Sequence, residues 1–511
     1  MYFTFDEAGD RVGIAAGAPG SGELEQLTHF PANVGSPTPD GPRADLRVMT
    51  TRGKQMRRGL VVAVVAVLLA AGCSSRGEDD SSSSAGDTQP TETSAAPAAG
   101  GFGDLEAVCG PREGGGETPS GDAAETQGIT DDSITVGTIA DPGFSGRPGL
   151  NQEIFDAGTA FVEWCNAAGG INGRQIELNL HDARLTEYTT AANEACASDF
   201  AVVGDGAVQD NLWATTGHDC GLIDLPAFSV TNAKNGNAGD DLVDKGVVQA
   251  VPSAADRIQV GPYLQVAEDF PDAISRTGIM YADLDTLIEQ KDKNQDALEQ
   301  LGFTIVNETS YNVLGEANWA PLAQSLAEDD VQVLNFIGEP ENLSQLLQSA
   351  AEIDYHPEVV IESTNFYDQA FLDSAGAAAE GVLVQSSFTP FEEAGDNPAT
   401  QQYLDIVEAV DGKVALLGAQ SVSAWLLFAT SVKACDLDDD LTRSCVLQHA
   451  AETTEWTGGG LHAPTDPSSN SPTECFLLLQ VQDGAFVRYH PEEGFDCGED
   501  RDEDQVIAVG T

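Results

Sequence analysis

Positive charge is scarce in this chain. Its 511 residues carry 23 Lys and Arg against 83 Asp and Glu, a formal net charge of −60. Nucleic-acid binding requires a cationic surface, so that class is excluded. The acid is spread along the chain and reads as a solvated face. Also missing is an apolar run of spanning length: residues 60–71 are apolar throughout, but about twelve residues fall short of the ~20 a membrane span needs. The signatures of hydrolytic chemistry are missing too. The loop that comes nearest to GxSxG reads GFSGR, HExxH does not occur, and the seven His are scattered. Acid pairs among so many carboxylates carry no weight. No CxxC pair occurs and the Cys spacings are wide, which argues against zinc. The expectation is a protein without catalysis, metal or cofactor.

What is present begins at the short apolar run. Arg52, Lys54, Arg57 and Arg58 precede it, and Ala70, Ala71 and Gly72 lead into Cys73. A basic region, a short apolar region and small residues at a cut form a secretory signal. With a cysteine directly after, it resembles the bacterial lipobox, in which that cysteine is lipidated. The signal is placed at 49–73, with Cys73 as lipidation site. Residues 1–48 have no clear periodicity and are read as a mis-annotated or disordered extension, the true start being Met49 or Met56. Residues 74–128 are rich in Ser, Thr, Gly, Ala, Pro and acid. Such composition buries too little apolar surface to offset chain entropy, and it reads as a flexible tether. The expected location is the outer face of the cell membrane, within the cell envelope.

Beyond Cys73 an even number of cysteines remains: Cys109, Cys165, Cys196, Cys220, Cys435, Cys445, Cys475 and Cys497. Outside the cytosol this suggests disulfides. Proximity favours Cys196–Cys220, Cys435–Cys445 and Cys475–Cys497, leaving Cys109–Cys165, but spacing alone does not fix the pairing.

From residue 129 strands and helices alternate. ITVGTIA reads as a buried strand. Ile154, Ala157, Phe161, Cys165 and Ala168 recur at helical spacing, and Gly169–Gly170 stops that helix. QIELNLHD, FAVVGDG and PAFSV read as further strands. The alternation restarts with RTGIMYAD, FTIVNETSY, VQVLNFIG, PEVVIES and GVLVQSS, separated by helical patterns. Alternation of this kind means parallel sheets with right-handed crossovers, and two series mean two α/β lobes. After Phe391 come helices, then a hairpin turning at Gln482–Asp483–Gly484.

The combination of VGTIAD, a helix, then WCNAAGGINGRQIEL resembles the solute-binding proteins of branched-chain amino acid type ABC transporters, which are type I periplasmic binding proteins. The resemblance runs from about residue 129 to the C-terminus. It implies two doubly wound three-layer α/β/α lobes joined by a three-segment hinge. Lobe I would be 129–251 plus 390–461, and lobe II 252–389 plus 462–511. It implies a non-catalytic, lipid-anchored receptor that captures a small polar solute (an amino acid, an amide or a related compound) and delivers it to an ABC permease. A ligand-sensing domain that signals through a membrane partner is the alternative.

The resemblance places the site on loops after the strands. In lobe I these loops supply Asp141, Phe144 and Ser145, then Asp205, Gly206, Ala207 and Val208, then Thr231, Asn232 and Ala233. In lobe II they supply Asp283, Asp285, Glu339, Asn365 and Phe366. The loop after PEVVIES lacks the acid such proteins offer to a ligand ammonium, with Glu362 the one nearby, so Glu339 is the expected substitute and an α-amino acid ligand is in question.

Overall fold

A computed structural model describes residues 100–115, 122–499, 501 and 503–510, together with the backbone of 2–5 and 11–15. Two units are separable, 1–90 and 91–511. In the first, Tyr2–Phe5 pairs antiparallel with Arg11–Ala15, a pairing for which the sequence offered no periodicity. Cys73 and the rest of the expected signal lie outside the described residues.

The second unit contains two parallel-stranded sheets. The first has strands β1 (Ser133–Ala140), β2 (Gln175–Asp182), β3 (Ala201–Val203) and β4 (Ile223–Leu225), in the order β2-β1-β3-β4 and parallel throughout. Parallel neighbours require crossovers, which helices α1 (Gln152–Ala168) and α2 (Tyr188–Ser198) provide. Ile154, Ala157, Phe161 and Cys165 put the buried stripe of α1 on the sheet. The helix stops where Gly170 takes φ +81 and donates to the Cys165 carbonyl. A side chain there would begin 2.1 Å from the Arg174 carbonyl oxygen, so only glycine fits. PAFSV is not a strand, as the sequence reading had it. β4 ends at Leu225, and residues 226–230 leave the sheet as a loop.

The second sheet holds β5 (Thr277–Ala282), β6 (Ile305–Tyr311), β7 (Val333–Ile337), β8 (Val359–Glu362) and β9 (Leu383–Ser386), which are parallel, and the antiparallel pair β10 (Leu477–Gln482) and β11 (Ala485–His490). The order is β11-β10-β9-β8-β7-β5-β6. Helices α3 (Asp285–Gln300), α4 (Ala320–Glu328), α5 (Pro340–Glu352) and α6 (Gln369–Ala375) connect the parallel strands. The hairpin turns at Asp483 and Gly484, both at positive φ.

Helices α7 (Pro398–Ala409), α8 (Leu416–Leu437) and α9 (Arg443–Ala451) follow β9 and return to the first sheet. Helix α8 is apolar on all sides and buried almost throughout, with Trp425 at its centre. A helix apolar all round is a core helix. The chain passes between the sheets at three places that hydrogen-bond one another. Thr389 donates its N–H to Leu461, Ala463 to Ser387, and the Thr465 hydroxyl to Ala250 at 2.7 Å.

The described residues form four disulfides, Cys109–Cys165, Cys196–Cys220, Cys435–Cys445 and Cys475–Cys497. The first corrects the tether. Residues 100–115 pack on the first lobe: Phe102, Val108 and Cys109 are buried, Gln402 accepts from Gly103 N–H, and Lys433 donates to the Ala107 carbonyl. Residues 122–128 carry the short helix Ala123–Thr126, capped by Asp122. Composition pointed to a leash because Gly and acid dominate, but three buried apolar residues and a disulfide suffice to anchor the segment. Residues 74–99 lie outside the described residues.

Candidate functional site

A cleft of about 350 Å³ lies between the two sheets, beyond the carboxyl ends of their strands. This is where open α/β sheets present ligand-binding loops. One wall comes from the loops after β3 and β4, through Val208, Phe228, Ser229 and Val230. The other comes from the loops after β7 and β8, through Gly338, Glu339, Ser363, Thr364 and Asn365. Leu417 and Gln420 of α8 close one side, and Lys293 and Asn294 of α3 another.

Carboxamides dominate the polar lining. Asn294 donates to Asn335 at 3.1 Å, and Asn335 donates to the Ile361 carbonyl at 3.0 Å. Gln249 donates to Asn470 at 3.2 Å, while its Oε1 is buried with no hydrogen-bond partner among the described residues, as are Gln420 Oε1 and Ser229 Oγ. Buried polar atoms ordinarily have partners, so three such atoms lining one cleft mark a surface built to contact something else.

Two cations cross-link the walls. Arg147, in the loop after β1, bonds Glu339 and, at 2.8 Å, Glu341. Burial works against the guanidinium charge, but Glu339 and Glu341 outweigh it and raise its pKa. Burial raises the pKa of Glu339, and Arg147 partly opposes the rise. Lys413 sits 2.9 Å from Glu153 and 2.7 Å from Asp368. Burial opposes its charge, and these two carboxylates again more than compensate.

The structure brings Val208, Glu339 and Asn365 of the predicted site residues to the cleft. The others lie elsewhere. Asp141 is buried and clamps backbone: its carboxylate accepts from Leu185 N–H at 2.6 Å and Val208 N–H at 2.8 Å. Burial pushes its pKa to about 6. Asp205 is buried in an ion pair with Lys234. The Gly206 carbonyl accepts from Asn151, and Ala207 is core. Phe144 packs beside Leu150, Leu185 and Val208, and Ser145 is exposed. The Thr231 hydroxyl is spent on Asp210, Asn232 N–H donates to Glu289, and Ala233 is exposed. Asp283 and Asp285 are exposed at the start of α3. Phe366 is core, edge-on to Phe336 and Phe371.

Glu362 is also unavailable to a ligand. It is 1% exposed, outside the cleft lining, and burial drives its pKa well above the carboxylate range. A carboxyl with a raised folded-state pKa costs nothing below its unfolded value, about 4.3. Its cost then grows by about 1.4 kcal/mol per pH unit until the folded value is reached. Glu362→Gln is therefore expected to raise Tm by a few degrees at pH 8 and leave it unchanged at pH 4, measured by calorimetry at both. An equal shift at the two pH values would refute the assignment.

Sequence reasoning missed Arg147, Lys413, Lys293, Gln249, Gln420 and Asn335. A signal existed for Asn335, the polar residue in the apolar strand VLNFI, and for Gln420 in the apolar helix α8. Arg147 stands in the Gly/Pro-rich loop that supplied Ser145.

Residues 133–485, more than half of the chain, match the family model described as periplasmic binding protein. No curated protein matches the sequence. Among solved structures, a leucine binding protein from Thermotoga maritima is similar at 15% identity and TM-score 0.58, covering 70% of this chain and 97% of that one. A fatty acid ABC transporter substrate-binding protein from Thermomonospora curvata is similar at 17% identity and TM-score 0.56, covering 76% and 97%. A solute binding protein of an ABC transporter from R. palustris, in complex with 4-hydroxybenzoate, is similar at 14% identity and TM-score 0.56, covering 70% and 96%.

Proposed function

We propose the following for this chain, which belongs to the periplasmic binding protein family: it is a lipid-anchored receptor that closes two lobes on a small solute outside the membrane and passes it to an ABC permease. Lobe I comprises 129–251 plus 390–461, and lobe II 252–389 plus 462–511. The observation that carries the reading is the cleft itself. It opens at the carboxyl ends of two parallel sheets, its walls are linked by ion pairs from opposite sides, and three of its buried polar atoms lack partners among the described residues. Closing such walls on a solute removes water and strengthens every polar contact inside, and hinge closure of this kind is a recognised ligand response.

The similar structures bear names for leucine, fatty acid and 4-hydroxybenzoate, so the fold leaves the solute class open. Among the described residues no helix is long and apolar enough to cross a membrane, and attachment is assigned to Cys73. Two experiments test the proposal. Cys73→Ser is expected to release the protein from the membrane fraction and abolish incorporation of labelled fatty acid. Deleting the gene, or the permease genes, should each abolish uptake of the bound solute by whole cells. Retention of Cys73→Ser on membranes would refute the anchor, and unimpaired uptake would refute the delivery role.

A further inference from the structure

We propose that the solute is a carboxylate without an ammonium group, held by Lys293. The inference rests on the receptor reading above and names its ligand class. It begins with charge. In a chain of net charge −60, the cleft lining holds four cations, Arg147, Arg257, Lys293 and Lys413, against three carboxylates, Glu153, Glu339 and Asp368.

Each of those carboxylates is already taken. Glu153 and Asp368 share Lys413, and Glu339 holds Arg147. A ligand ammonium entering the cleft would meet no free anion and would also face the surplus cation. Burying an ammonium unpaired is costly.

Lys293 differs from the other three cations. Arg257 is 41% exposed at its side chain and lies 4.0 Å from Asp256. Lys293 is 5% exposed, donates to the Ala254 carbonyl, and among the described residues makes no ion pair within hydrogen-bonding range. An ammonium carries three donors, so a carbonyl leaves capacity for an anion at the cleft face. Burial lowers its pKa to about 8, and Asp256 only partly opposes this. The other charged or titratable groups in this part of the lining are Arg257 and Tyr263, and burial raises the pKa of Tyr263 so that it stays neutral. A bound carboxylate would supply the counter-charge Lys293 lacks.

The remaining lining fits the rest of such a molecule. Val208, Phe228, Leu417, Phe336 and Ile337 supply apolar wall. Gln249 has committed its amide N–H to Asn470 and presents its oxygen, while Gln420 Oε1 and Ser229 Oγ add unpartnered polar atoms, all on side chains at least nine-tenths buried. These suit a hydroxyl or amide donor on the ligand body.

The test uses the full chain in detergent and a matched panel on shared skeletons: isocaproate, its amide, 4-methylpentylamine and leucine, then phenylacetate, phenylacetamide, phenethylamine and phenylglycine. A ligand that binds only the folded state raises Tm. The acids are expected to raise Tm and their matched amines and amino acids are not. Lys293→Gln should weaken acid binding about tenfold, as loss of a charge-assisted hydrogen bond does, and Lys293→Arg should retain most of it. Wild-type affinity should fall as pH rises through about 8 and towards 10, because the free lysine loses its proton there, whereas Lys293→Gln should show no such fall. Binding of amino acids or amines in preference to acids would overturn this inference and leave the receptor reading intact. Acid binding that survives Lys293→Gln undiminished would also overturn it. A panel with no stabilising member would overturn both.

Discussion

Lys234→Met is expected to destabilise the folded protein by roughly 3–5 kcal/mol, the range for removing one partner of a buried ion pair. Lys234 lies on the short helix Asn232–Asn235 with no exposed side-chain surface, 3.0 Å from Asp205 and 2.8 Å from Asp224, both equally buried. Its ammonium also stands 5.5 Å from the centre of the Trp213 ring. Burial works against its charge, but the two aspartates outweigh that and raise its pKa. Burial, then Asp205, drives the pKa of Asp224 well above its ordinary range. Met fills the aliphatic volume, so the loss comes from leaving two carboxylates in a dry core without a cation. The sign with pH follows. In the variant Asp224, whose pKa burial raises, is protonated in the folded state and ionised in the unfolded chain at pH 7. The loss is then largest at neutral and alkaline pH and shrinks as pH falls towards about 4, where the unfolded Asp224 also takes up a proton. Denaturant unfolding at pH 7 and pH 4.5 measures both quantities. Adding Asp224→Asn should recover part of the loss at pH 7, and a loss below ~1 kcal/mol there would show that the cluster is not held by its charges.

That triad also explains what the sequence could and could not yield. The alternation of strands and helices, the helix stop at AGGINGR and the hairpin at Asp483–Gly484 are local patterns, set by spacing and by residues with special φ. They were readable and they positioned the cleft. The site side chains were not readable, because a position just after a strand can serve two purposes. At the carboxyl end of a parallel strand an aspartate can meet a ligand, or it can turn back to satisfy the backbone of the next loop. Asp141 does the second, for Leu185 and Val208, and Asp205 spends its charge on Lys234. Nothing within ten residues of either distinguishes the cases, since their partners lie in other loops. Asn335 was more legible than either: a lone amide between apolar neighbours in a buried strand must find partners, and it does so toward the cleft.

Arg147→Ala is expected to lower the apparent affinity for any stabilising solute about 30-fold, while changing the stability of each separate lobe little. The residue was hidden in the sequence because its partners are 192 and 194 positions away. Arg147 extends from the loop after β1 in lobe I to Glu339 and Glu341, at the start of α5 in lobe II, with side-chain exposures of 23%, 22% and 44%. If the lobes part, all three groups return to water and loss of the guanidinium costs nothing. In the closed form loss of the guanidinium leaves Glu339, whose pKa burial raises, beside Glu341 and facing Glu153 across the cleft. Partial exposure reduces the penalty from the range of fully buried pairs to about 2 kcal/mol. All of it falls on the closed state, and an equilibrium shifts by the difference between the two states. Small-angle scattering of the ligand-free variant should therefore report a larger radius of gyration than the wild type, with unchanged secondary structure by circular dichroism. Protonation of Glu339, whose pKa burial raises, removes the repulsion, so the affinity of Arg147→Ala should recover toward wild type as pH falls, and Glu339→Gln added to Arg147→Ala should recover it at pH 7. A variant that weakens binding equally at every pH would indicate that Arg147 contacts the solute itself and does not act through closure.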